Sequence, residues 1–202
     1  MVGLRELKKE RTGRRIAEQA LRLFAERGFE DVTMGEVARA SEVARATLFA
    51  YYPTKESLVL AGVAGDDLAA TVADRPDGQS ALAALRAHHR TLASGPVAAA
   101  DLPALLARVR VIQASPALRI AADSLRYRQR QALADVLSAE HGETAGTLMA
   151  AQIAASLAAL QERHFARLVA GTPAEQADRM LAEDLELAFD LLEHGHSGTR
   201  EQ

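Results

Sequence analysis

The sequence predicts an all-α protein, and three observations carry that reading. Alanine fills about a fifth of the 202 positions beside abundant Leu, Arg and Glu, whereas aromatic residues make up only 4%. The first group are strong helix formers, and the residues that favour strands are scarce. Apolar residues recur at helical spacing between caps and stops, and no strand pattern longer than a few residues interrupts them. A chain that is 49% hydrophobic and 25% charged is not disordered throughout and can build a substantial core in one or two domains. With no Cys, it has no disulfide framework, thiolate metal site or Cys nucleophile.

The elements follow in order. Ile16, Ala17, Ala20, Leu23 and Phe24 lie on one face of a helix over 4–27, and Gly28 stands where it should stop. Thr33 and Glu36 form a T-x-x-E capping box that opens a short helix over 34–40. Ser41, Glu42 and Val43 make a tight connection to a third helix over 44–51. Tyr52 and Pro53 end it, because Pro cannot continue a helix and biases the residue before it toward extended backbone. Thr54 caps a fourth helix over 54–72, closed by the break Asp74, Pro76, Asp77, Gly78. Helices are expected over 79–93, up to a break at Ser94–Pro96, and over 101–113, opened by Asp101. Ser115 caps a helix with Pro116 at its first position, running to His141 with Gly142 as its stop. A long helix over 143–170 ends at Gly171. Thr172, Pro173 and Glu175 repeat the capping box before a last helix that ends near Gly195, with a frayed tail from His196. The expectation is about nine helices and no internal repeat.

Charge is distributed unevenly. Residues 1–60 carry a formal charge of +2, residues 61–202 carry −5, and residues 1–15 alone carry +4. A basic front end on an acidic body points to an anionic partner for the front only. No secretory signal is visible, and the longest uncharged span, Thr144–Gln161, is too weakly apolar for a membrane span, so a cytoplasmic location and no membrane partner are expected.

The stretch 33–55, TMGEVARASEVARATLFAYYPTK, reads as helix, three-residue turn, helix. That is helix-turn-helix geometry, whose second helix lies in a DNA major groove. Val37, Ala38, Val43 and Leu48 are spaced to pack the two helices together, leaving Arg45, Thr47, Ala50 and Tyr51 outside. An Arg at the helix start can reach a guanine edge, while Thr47, the Tyr51 hydroxyl and Lys55 suit phosphate oxygens. Lys55 also falls in the first turn of the next helix, whose dipole favours an anion. Spacing alone leaves a plain three-helix core equally open.

Further residues carry a resemblance. Ile16, Ala20, Leu23, Phe24, Gly28, Phe29, Thr33, Val37, Ala38 and Val43, then the dense run Thr47, Leu48, Phe49, Tyr51, Tyr52, Lys55, Glu56 and Leu58, resemble the DNA-binding domain of the TetR family of bacterial transcriptional regulators over Arg11–Leu60. The resemblance implies a homodimer, each protomer with three DNA-reading helices over residues 1–55 and an effector-binding and dimerisation domain over 56–202, joined by the helix 54–72. The residues expected to meet duplex DNA are Lys9, Arg14, Thr33, Arg45, Ala46, Thr47, Phe49, Ala50, Tyr51 and Lys55. The leading basic residues Arg5, Lys8, Lys9, Arg11, Arg14 and Arg15 read either as an arm on phosphate or in the minor groove, or as the solvated start of the first helix.

The chain departs from the family pattern at three positions. Ala44 stands where a Ser usually caps the recognition helix, leaving Ser41 as an earlier candidate cap. Glu42 stands where the turn often has Gly, and Ala50 where His is frequent. Ala50 can touch a thymine methyl but cannot hydrogen-bond a base, so Arg45 carries more of any direct readout.

The body is less informative. The helix 143–170 is lined with small residues including Ala145, Gly146, Ala150, Ala151, Ala154, Ala155, Ala158 and Ala159, and the last helix has an apolar stripe. Either these form a four-helix bundle between two protomers or they pack within one chain. An effector pocket is expected among 79–141, with Leu85, Leu105, Val109, Ile112, Leu118, Leu125, Tyr127 and Phe165 as candidate lining residues. An aliphatic wall with scattered arginines (Arg86, Arg90, Arg108, Arg110, Arg119, Arg126) suits an acyl chain with an anionic head, and SPALRIAADSLRYRQRQALADVL resembles actinobacterial members of the family that sense fatty acyl-coenzyme A. His88 and His89 are adjacent and make a poor chelate, the other histidines are scattered, and no Ser/His/Asp grouping, phosphate loop or H-E-x-x-H occurs. No metal, cofactor or catalysis is therefore expected. The expectation is a palindrome-binding regulator, most simply a repressor released by a hydrophobic or acyl-type effector. A DNA-binding helical protein without an effector and, third, a helical enzyme are the alternatives.

Overall fold

A capping box opens the second helix, whereas the first and third start without a side-chain cap. The computed structural model describes residues 3–61, 67–94 and 102–195, with the side chains of Leu4, Arg5, Ala93 and Ser94 left aside. The expected break at Gly95–Pro96, the helix opening at Asp101 and the tail from His196 lie outside them. The described residues form ten helices: α1 (Leu4–Arg27), α2 (Met34–Ala40), α3 (Arg45–Tyr51), α4 (Ser57–Leu60), α5 (Leu68–Ala73), α6 (Ala81–Ser94), α7 (Leu102–Ala114), α8 (Pro116–His141), α9 (Glu143–Val169) and α10 (Ala174–His194). α1 stops at Gly28, whose φ of +90° suits a residue without a Cβ. α2 opens with a complete capping box, the Glu36 amide donating to Thr33 Oγ1 and the Thr33 amide to Glu36 Oε2.

Three expectations need correction. The fourth helix is not continuous over 54–72. Asp67 caps a separate α5, its carboxylate accepting the Ala70 amide at 2.9 Å, and a residue spent as an N-cap cannot lie inside a helix. Ser41 does not cap α3: it is the C-terminal neighbour of α2, buried, its hydroxyl without a hydrogen bond, and α3 starts from Ala44 with no side-chain cap. The box at 172–175 does not form, because Pro173 has extended ψ (138°) and itself stands at the N-cap, so α10 begins one residue later.

The chain divides into two compact units, residues 1–65 with 103–124 and residues 66–102 with 125–202. α7 from Pro103 and the first turns of α8 belong to the same unit as the N-terminal helices. In the first unit Ile16, Ala20 and Phe24 of α1 pack with Phe29, Val32, Val37, Leu48 and Leu58, all buried, and the Phe24 and Phe29 rings lie 5.0 Å apart. Each of these burials other than that of Ala20 stabilises by about 1.5–3 kcal/mol. Ser115 belongs to the same unit. Its hydroxyl caps α8 by accepting the Leu118 amide at 3.2 Å and donates to Glu30 Oε1 at 2.7 Å.

In the second unit Val72, Leu85, Leu133, Leu137, Ala150, Ile153, Leu185 and Phe189 form one core. The inward faces of α9 and α10 therefore pack within the chain. Arg86 and Arg90 of α6 bind carboxylates of α10: Arg86 reaches Glu186, Asp190 and Glu193, and Arg90 reaches Glu186 at 2.5 Å. Their hydrogen bonds hold the Glu186 carboxyl at about 2, well below the usual 4.5. Gly146 explains one of the small residues of α9: a Cβ there would fall inside the backbone of Ser138, 2.6 Å from its Cα.

Candidate nucleic-acid interface

The candidate site grows from the turn between α2 and α3. The backbone of Glu42 takes φ +52°, the left-handed region, and the Val43 amide then reaches back to the Ala38 carbonyl at 3.0 Å. This turns the chain sharply enough for α3 to lie across α2. Leu48 is fully buried and fixes the roll of the seven-residue helix. With Leu48 inward, Arg45, Ala46, Phe49 and Ala50 stand exposed on the opposite side, and Thr47 and Tyr51 lie half-buried at its edges. Phe49 keeps 42% of its surface accessible, a costly placement for a ring unless something covers it.

The remaining candidates are placed as follows. Lys9 and Arg14 lie exposed on α1, Arg14 in a loose 3.4 Å pair with Glu10 that contributes little. They line a groove of about 480 Å³ with Glu6, Glu10, Gly13, Tyr51 and Tyr52, so the start of α1 and the end of α3 share one surface feature. Thr33 has its hydroxyl engaged in the capping box, donating to Glu36 Oε2 at 2.8 Å. Lys55 is half-buried: its Nζ donates to the Glu30 carbonyl at 3.1 Å and sits 4.3 Å from the centre of the Phe29 ring. An ammonium has three donors, so the Glu30 bond leaves capacity for a phosphate.

Two ionisable groups report on how the unit is braced. The Glu36 carboxyl is held at about 2 instead of 4.5, chiefly by the Thr33 backbone hydrogen bond and then by the Arg27 guanidinium 2.7 Å away. The Tyr52 hydroxyl, donating to the Gly13 carbonyl at 3.0 Å, has its pKa pushed up by burial and drawn back by the charge of Arg108. Burial lowers the pKa of Arg108 itself, and its Nε has no hydrogen-bond partner. Sequence reasoning read Ser115 as the cap of α8, which it is, but did not pair Ser115 with Glu30, Arg108 with Tyr52 or Gly13 with the two tyrosines. Gly13 left a signal as a glycine in the middle of a helix.

The eight candidate effector-lining residues fall in both units. Leu105, Val109, Ile112 and Leu118 belong to the first, where Val109 and Leu118 are core. Leu85, Leu125, Tyr127 and Phe165 belong to the second, where Leu85 is core and Tyr127 is 55% exposed beside Arg130. Of the arginines read as partners for an anionic head, Arg86 and Arg90 are engaged by α10 and Arg126 lies 3.6 Å from Glu162. Asp190, Glu193 and His194 are the one described cluster with metal-ligand spacing; it is exposed, and Arg86 already holds two of its three members. Among the described residues no helix is long and apolar enough to cross a membrane.

Comparison with known proteins bears on the same segment. Residues 16–61 match the family model described as bacterial regulatory proteins, tetR family. The HTH-type transcriptional regulator TcmR of Streptomyces glaucescens is 30% identical over 122 residues, 57% of this chain and 54% of that protein. The mycofactocin biosynthesis transcriptional regulator MftR of Mycobacterium tuberculosis, a name assigned provisionally there, is 45% identical over 47 residues, 23% of this chain and 24% of that one. The match thus spans about half the length of the first relative and a quarter of the second. Among solved structures, FadR of Thermus thermophilus, a TetR-family transcriptional repressor in complex with lauroyl-CoA, aligns over 94% of this chain and 97% of its own at 28% identity with a TM-score of 0.47.

Proposed function

We propose that this chain, whose residues 16–61 match the model of the tetR family of bacterial regulatory proteins, is a sequence-specific DNA-binding transcriptional regulator of that kind and acts as a cytoplasmic repressor. The observation that carries the reading is the outer face of α3. Arg45, Ala46, Phe49 and Ala50 are exposed on a helix whose other side is anchored by buried Leu48, and the cations Lys9 and Arg14 stand near its far end. A helix so presented fits a major groove, with Arg45 at its N-terminal end reading a guanine, Phe49 and Ala50 meeting thymine methyl groups, and Lys9, Arg14, Thr33, Thr47, Tyr51 and Lys55 serving the backbone.

A homodimer supplies the second reader. On α9, Leu148, Gln152, Ala155, Ala159, Glu162 and Ala166 are exposed at alternating steps of four and three, a seam in which three of the six side chains are alanine, on the side away from the chain's own core. Leu148 (59% exposed) and Leu187 of α10 (53%) are large apolar groups with no cover in the protomer. Two such readers would need half-sites roughly 34–36 Å or a multiple apart. An acyl-type effector with an anionic head would release DNA by favouring a conformer with the wrong spacing, to the extent that it binds that conformer better. The sequence of 115–137 supports this class, and so does Arg108, whose desolvated guanidinium has an Nε without a partner. A regulator without an effector is the second reading, favoured by the use of Leu85, Val109 and Leu118 as core; a thermal-shift series with acyl-coenzyme A of varied chain length separates the two, stabilisation supporting the effector.

The test is binding to a duplex enriched by the protein from a random-sequence pool. Arg45→Ala should lose about 1–3 kcal/mol on the enriched duplex and little on random DNA; equal loss on both removes its base-reading role. Lys55→Ala should weaken both and lower the salt dependence by about one phosphate. Loss without a change in salt slope would instead assign Lys55 to bracing Glu30 and Phe29.

A further inference from the structure

α1 carries a glycine where a helix is least tolerant of one. Gly13 is buried near the middle of a 24-residue helix, and glycine at such a position costs about 1 kcal/mol relative to alanine. Its neighbours give the reason. A Cβ at Gly13 would lie 3.3 Å from Cδ1 and 3.6 Å from Cε1 of the Tyr51 ring, and 3.7 Å from the Tyr52 hydroxyl. The ring rests on bare helix backbone, and the adjacent tyrosine donates its hydroxyl to the Gly13 carbonyl at 3.0 Å. These two contacts join α1 to the last residue of α3 and to the residue that terminates it.

α3 depends on that junction more than most helices would. It has only seven residues, its N-cap Ala44 provides no side-chain hydrogen bond, and Leu48 is its only buried residue. One buried side chain fixes roll but leaves pitch free; a second attachment at the far end is needed to set how deeply the other end enters a groove. We infer that Gly13 and the Tyr52 hydroxyl are positioning elements that set the pitch of α3, and so determine the discrimination between cognate and random DNA without touching either. The inference rests on the reading of α3 as the DNA-recognition helix.

The experiment uses the full chain and the duplex it enriches from a random-sequence pool. Gly13→Ala should leave the thermal midpoint unchanged or raised, since alanine favours helix. It should lose about tenfold in affinity for the enriched duplex, comparable to one mismatched base pair. Affinity for random duplex, set by charge, should stay within about twofold. Tyr52→Phe should move in the same direction by a smaller factor. In a Tyr51→Ala background, Gly13→Ala should have no further effect, because the ring it displaces is gone. Full retention of the cognate-to-random ratio by both Gly13→Ala and Tyr52→Phe overturns the inference, as does an undiminished Gly13→Ala effect without the Tyr51 ring. If Gly13→Ala fails to fold, Tyr52→Phe decides alone. Failure of the wild-type chain to enrich any duplex would remove the DNA reading and this inference with it, a result distinct from wild-type enrichment with unaltered variants.

Discussion

The two units hold their helices by different means. In the first, many constraints act between residues three or four apart: Thr33 with Glu36, Thr54 with Ser57, and the stop at Gly28. In the second, the main ones act across long stretches of sequence: Arg75 with Glu140, Arg86 with Glu186, and a core drawn from five helices, while Gly146 against Ser138 spans one turn. Local constraints permit short helices and a tight turn, which let a seven-residue rod stand out with one face free. Distributed constraints need long helices but can vary widely in sequence while keeping the core filled. The family model matches residues 16–61, which lie within the first unit.

Substitutions can break or sharpen this contrast. The largest effect is expected from Gly146→Ala. The atom it would press against is backbone, which has little freedom to yield, so stability should fall by about 1–3 kcal/mol or more. Amide hydrogen exchange should show the loss in α8 and α9, with α2 still protected; equal loss in α2 would mean that the two sets of constraints are not separable. Next is Glu42→Gly. Glu42 is the one non-glycine residue with positive φ among those described. Glycine removes a Cβ clash worth roughly 1 kcal/mol and should raise the thermal midpoint with no change of fold. A lowered midpoint would show that the Glu42 side chain has a role beyond the turn.

The smallest effect comes from pH and is local to the first unit. Folding lowers the Glu36 carboxyl from 4.5 to about 2. A depressed acid contributes stability that is complete above its unfolded pKa, so this contribution is present above pH 4.5 and disappears as the pH falls toward 2. Glu36→Gln should flatten that part of the stability profile; an unchanged acid slope would show that the capping box is not the source.

The legible parts of the sequence were those whose partner lies within one helical turn. Thr33, Glu36, Gly28, Pro53 and Gly142 announced helix ends that the structure has within a residue. Asp67 was misread because an Asp in an apolar stretch is equally a solvated helix residue and a cap, and only backbone conformation distinguishes them. Pro173 was misread for a similar reason: proline fixes φ and leaves ψ open, and here ψ is extended. At the candidate site the spacing around Leu48 put Arg45, Thr47, Ala50 and Tyr51 outside; Arg45 and Ala50 are exposed, but Thr47 and Tyr51 are half-buried, while the exposed Ala46 and Phe49 were named only among the residues expected to meet DNA. The engagement of Lys55 by Glu30, 25 residues earlier, did not follow from spacing, because no local pattern encodes it.

The chain's residue order by itself determined the helical class, most of the helix ends and the face of α3 turned outward, since periodicity, capping and proline chemistry act over a few residues. Tertiary structure alone decided that α7 and the start of α8 join the N-terminal helices, that Arg86 and Arg90 serve α10, and why Gly13 and Gly146 lack side chains. Those outcomes depend on which surfaces meet in space, and a contact between residues far apart leaves no period in the sequence to read.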